Sequence, residues 1–121
     1  MEITNLNSLV KFSPDKYMKM PIKGTEGLIR LLCFEPYQAV PIHKHPDADE
    51  AFYVLKGEGE ITVGAELAKV KMGRFVKAPA GVPHGWKNGE KQLVLISFLI
   101  HPSNYELAER IARMEFAEEG A

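Results

Sequence analysis

The chain has 121 residues, 45% of them apolar and 26% charged, with a formal net charge of −1. That length fits one domain with its own core, and the charge balance excludes a protein that holds nucleic acid through its phosphates. The one cysteine, Cys33, excludes an intrachain disulfide, and no apolar run is long enough for a membrane helix.

The opening residues lack the basic start and apolar core of a secretion signal, so a cytoplasmic protein is expected. Residues 1–26 read as an N-terminal arm with weak strands between two turn signals, SPDK at 13–16 and PIKG at 21–24. From residue 27 the strand pattern is plain. GLIRLLCFEP is the first strand and QAVPIHKH the second, its prolines suiting an edge or a strand end. EAFYVLKG, GEGEITVGAE, LAKVKMG and RFVKAP follow, each bounded by glycine or proline. PHGWKN is a short strand closed by a turn, and KQLVLISFLI is the last and most apolar. Short strands with turn residues every 8 to 12 positions predict an all-β sandwich or barrel over residues 27–101.

The tail, 102–121, changes period. Ser103 and Glu106 have the spacing of a capping box. Tyr105, Leu107, Ala108, Ile111, Ala112, Met114 and Phe116 then recur at helical spacing, which predicts a helix over about 104–118 with its stripe against the barrel or a partner subunit. LVLISFLI is apolar on both faces, and AFYVL nearly so. One face belongs to the barrel interior, so the other needs the terminal helix or a second subunit.

The chemistry concentrates in HKHPDADE, residues 43–50. On a strand, His43 and His45 point to one face, roughly 6.6 Å apart along the chain. Glu50 opens the next strand, with Phe52 and Val54 on its face by parity. A carboxylate inside a barrel beside apolar residues needs a cation or hydrogen-bond donors. His84 follows a proline–glycine turn and shares parity with Trp86, which fits either a pocket wall or core. Three imidazoles and a carboxylate suit one divalent transition metal per chain, whether iron, manganese, nickel, cobalt, copper or zinc. Asp47 and Asp49 read as loop residues beyond Pro46, His101 as a surface residue, and Cys33 as a small buried apolar group.

These residues resemble the cupin superfamily. Its first motif has two histidines one residue apart, a glutamate four or five positions on and a glycine seven after that, matched here by His43, His45, Glu50 and Gly57. The second motif is matched by Gly73, Pro79, Gly81, His84 and Asn88, with every interval intact. Two departures stand out: Tyr37 occupies a position that usually holds glycine, and Arg74 one that often holds aspartate. The resemblance implies a double-stranded β-helix, or jelly-roll barrel, with one C-terminal helix added, and His43, His45, Glu50 and His84 as metal ligands. It also implies a homodimer, as in many small single-barrel relatives, while strand parity puts Phe52, Val54 and Trp86 beside the ligands as a tight, apolar pocket for a small-molecule substrate. The function it favours is a metal-dependent enzyme of the oxygenase, oxidase, decarboxylase or isomerase type, with Glu50 able to act as base. A metabolite- or sugar-binding sensor module is the alternative.

Overall fold

A computed structural model describes residues 1–120, with side-chain surroundings described through residue 114. The strands run β1 (Met18–Pro21), β2 (Ile29–Phe34), β3 (Ala39–His43), β4 (Asp49–Lys56), β5 (Glu58–Val63), β6 (Glu66–Lys71), β7 (Phe75–Ala78), β8 (His84–Asn88) and β9 (Leu93–Ile100). Two antiparallel sheets form, one ordered β1-β2-β9-β4-β7 and the other β3-β8-β5-β6. This is the all-β jelly-roll barrel expected, with a single long helix, α2 (Tyr105–Gly120), after it. A one-turn helix, α1 (Leu6–Leu9), is the element that periodicity could not show; Asn5 caps it by accepting the Asn7 N–H at 3.1 Å.

The interior between the sheets holds Leu32, Phe34, Phe52, Val54, Trp86 and Leu95, all buried. Alternation along β2 and β9 turns Leu31, Cys33 and Val94 to the opposite face. That outer face is covered by Leu9, Val10 and Phe12 of the N-terminal arm. The apolar pattern assigns this cover to the terminal helix or a second subunit; the chain supplies it from its own first twelve residues. Of the two surfaces expected for the helix stripe, the barrel does not receive it: Tyr105, Leu107, Ile111 and Met114 are exposed. Phe116 lies outside the described side chains. Among the described residues Ser103 makes no side-chain hydrogen bond; a short 3-10 turn, Pro102–Asn104, leads into α2. The helix start is tied instead by the Tyr105 hydroxyl, which donates to Asp49. Among the described residues, no helix is long and apolar enough to cross a membrane.

Two turns show how the motif glycines act. Gly57, between β4 and β5, sits at φ +82°, and a Cβ there would lie 2.4 Å from the Gln92 carbonyl oxygen. Tyr37 adopts φ +66° in the turn before β3, so tyrosine carries there the left-handed conformation that glycine adopts without cost. The Tyr37 N–H donates to Gly89 O at 2.9 Å and holds that turn against the one after β8.

Candidate metal centre

The centre lies between the two sheets. β3 and β8 bring His43 and His84 opposite each other as a cross-strand pair. A register shift between Val40 and His43 re-aims the end of β3, and the strand stops at His43. His45 therefore reaches the site from beyond the strand end, and simple alternation along one strand does not explain its position. Glu50 enters from the other sheet, near the start of β4, paired with Ala78 on β7 and Leu99 on β9.

The ligand-type atoms of His43, His45, Glu50 and His84 all lie within 4.8 Å of one another. Glu50 Oε1 is 2.9 Å from His84 Nε2, 3.1 Å from His45 Nε2 and 3.8 Å from His43 Nε2. Ligands about 2.1 Å from a common ion and at right angles stand about 3 Å apart, so this spacing matches a shared coordination shell. The far ring nitrogens complete the picture. His43 Nδ1–H donates to Pro41 O at 2.8 Å, and His84 Nδ1–H donates to Val82 O at 3.0 Å. That fixes both tautomers: a neutral ring so held turns its Nε2 lone pair inward. Lone pairs on Nε2 facing a carboxylate oxygen repel unless a proton or a metal ion lies between them. The donor set therefore fits a divalent transition metal.

Glu50 is held from behind. Its Oε2 accepts from Ser97 Oγ at 2.6 Å and from Arg30 Nη2 at 3.0 Å, which leaves Oε1 for the centre. Without a metal, burial pushes the Glu50 carboxyl up. The bonds from His84 and Ser97 and the charges of Arg30 and His84 outweigh it and bring the pKa from 4.5 to about 2. Burial likewise works against a charged His84 ring. Glu50 and the Val82 carbonyl overcome it, and the pKa stands above its ordinary 6.5. Arg30 and Ser97 are functional residues that the sequence motifs do not single out. The available signal was chemical: Arg30 is the lone cation in LIRLLCF, and Ser97 the lone polar residue in LVLISFLI.

Asp49 corrects an expectation. It is not a loop residue but a buried one at the start of β4, accepting the Ala80 N–H at 2.7 Å. The Tyr105 hydroxyl, the Ala80 N–H and the Lys77 charge hold its carboxyl below the ordinary range. Asp49 thus ties β4 to the turn that precedes His84. Asp47 is exposed, as is His101.

A cavity of about 320 Å³ opens beside the centre. Phe52 and Trp86 line it, and Trp86 is also part of the core. Val54 does not reach it; two residues further from Glu50 along β4, it lies deeper in the core cluster and is fully buried. Tyr17 and Lys19 enter the cavity wall from the N-terminal segment, to which the sequence pattern gives no role.

The family model described as Cupin domain matches residues 30–99. A curated protein of Aquifex aeolicus, uncharacterised, is 31% identical over 99 residues, 79% of this chain and 81% of that one. Quercetin 2,3-dioxygenase of Bacillus subtilis is 33% identical over 60 residues, 50% of this chain but only 18% of the dioxygenase. The crystal structure of TT1209 from Thermus thermophilus superposes with a TM-score of 0.76 at 34% identity, covering 84% of this chain and all of that one. Sheet topology, motif spacing and family match agree: the chain belongs to the cupin family.

Proposed function

We propose that the chain binds one divalent transition metal through His43, His45, Glu50 and His84 and is an enzyme acting on a small oxygenated metabolite. The observation that carries this reading is the clustering of three imidazole nitrogens and one carboxylate oxygen within 4.8 Å of one another, two of the imidazoles with their tautomers fixed from behind. A divalent ion held there would polarise an oxygen of the ligand, and a redox-active one would add dioxygen chemistry. The histidines hold the ion. Arg30 and Ser97 keep Glu50 ionised and its Oε1 turned inward. Leu32, Phe52 and Trp86 give the cavity a dry wall and limit the size of what enters. Glu50 is the one carboxylate lining the cavity among the described residues; with the imidazoles occupied by the ion, it would take a proton from a bound ligand on leaving the ion. The partial similarity to quercetin 2,3-dioxygenase favours the oxygenase type within this range.

That same shortage of acid–base groups favours a second reading, a binding module that holds a metabolite without turnover. The two separate in one experiment. The stripped protein is reloaded with iron(II), manganese, nickel, cobalt, copper or zinc and offered small acids, enols and thiols while oxygen uptake and product masses are followed. Turnover that disappears in His84→Ala supports the enzyme. Saturable binding with no turnover on any metal overturns it and leaves the module.

A further inference from the structure

We propose that the N-terminal strand β1 reads the charge of the ligand: Lys19 receives a carboxylate of a small organic acid whose other end faces the histidine cluster. The proposal rests on the metal-binding reading above and adds the substrate class to it.

β1 lies outside the segment that matches the family model, residues 30–99. Lys19 pairs in register with Leu32, which faces the interior, while Met18 and Met20 pack with the outer cluster. Lys19 therefore stands on the inner face of its strand and joins the cavity wall as an exposed residue, its charge open to both solvent and cavity. Tyr17, on the same face, stacks on Phe34 with ring centroids 5.2 Å apart and fixes the approach of the strand. A lysine on an edge strand also discourages unwanted strand pairing. That role needs no cavity, and it does not account for the charge balance inside this one.

Lys19 makes no ion pair and no side-chain hydrogen bond among the described residues. Glu50, the one carboxylate in the wall, is already committed, with Oε2 to Arg30 and Ser97 and Oε1 to the imidazoles. With a divalent ion in place, the ion, Lys19 and Arg30 together oppose that single negative charge. Arg30 Nε and Trp86 Nε1, buried groups of two more wall residues, have no acceptor either. The cavity is thus rich in cations and donors and short of acceptors, and the ligand that balances it is an anion with several acceptor oxygens. Its volume, at the lower end for ligand pockets, selects a small one.

The test compares acids that share one end and differ in a second carboxylate: malate against lactate, and 2-oxoglutarate against 2-oxobutyrate. Binding to zinc-loaded protein is measured by calorimetry for the wild type, Lys19→Met and Lys19→Arg, with zinc affinity measured on each. The expected result is a roughly five- to tenfold preference for the diacids in the wild type, the scale of one ion pair near a surface. Lys19→Met erases that preference, Lys19→Arg keeps it, and zinc affinity is the same in all three. A preference absent from the wild type, or unchanged in Lys19→Met, overturns the proposal alone. Failure of the wild type to take up zinc or any other divalent transition ion overturns the proposal together with the metal-binding reading.

Discussion

Ser97→Ala isolates the grip on Glu50. Ser97 is fully buried, and its hydroxyl donates to Glu50 Oε2 at 2.6 Å while accepting from Arg30 Nη2 at 3.2 Å. Alanine keeps the side-chain volume nearly unchanged and removes one hydrogen bond to a buried charge, a loss of about 2 kcal/mol. Because Glu50 is a carboxylate whose pKa is depressed on folding, from 4.5 to about 2, the stability it contributes is present above 4.5 and fades as pH falls toward 2. Urea titrations of metal-free protein should therefore show the full gap at pH 7, narrowing as the pH drops below about 4. A looser Glu50 should also weaken metal binding by about 10- to 100-fold. Equal midpoints at pH 7, or a gap of constant size down to the acid limit, would refute the view that Ser97 acts through the charge on Glu50.

Four further outcomes follow from the geometry. His84, whose pKa is raised on folding, stabilises the metal-free protein fully below pH 6.5 and loses that contribution as pH rises through the higher folded value. Melting curves in EDTA should therefore fall between pH 6 and pH 9, whereas metal-loaded protein, with His84 neutral and coordinated, should hold its melting temperature. Gly57→Ala forces a Cβ against the Gln92 carbonyl oxygen at a positive φ, and denaturant midpoints should report a loss of more than about 2 kcal/mol. Tyr37→Gly relieves the left-handed strain at an exposed position and should raise the midpoint; a fall would mean that the ring makes contacts that offset the strain. Asp49→Asn weakens the tie to the turn before His84 and the anchor of α2. Amide exchange should quicken at Ala80 and in the first turn of the helix, and unchanged exchange would count against that link.

The strands were legible because each is a short apolar run closed by glycine or proline, and those positions turn where the fold needs it. The ligand set was legible for a different reason. His43, His45, Glu50 and His84 fall at strand ends, and motif spacing fixes strand ends better than side-chain direction. The register shift in β3 illustrates the limit: alternation placed His43 and His45 on one strand face, whereas the strand ends at His43 and His45 joins from beyond it. Arg30 and Ser97 stand out as lone polar residues in apolar runs, but their partners, like those of Asp49, were not legible, because those contacts exist only across sheets and loops, at separations of 20 to 56 residues. The N-terminal arm was hidden by its weak periodicity. Its Leu9, Val10 and Phe12 act as a cover and Lys19 as a cavity wall, and neither task imposes a repeating pattern.

The most direct measurement is the metal content of protein stripped with chelator, dialysed against micromolar cobalt(II) or manganese(II) and read by elemental analysis. A single equivalent held by the wild type, and lost in both Glu50→Ala and His84→Ala while their circular dichroism stays that of a folded β-barrel, is the predicted result. Wild-type protein that emerges metal-free, or variants that retain as much ion as the wild type, would contradict the central claim.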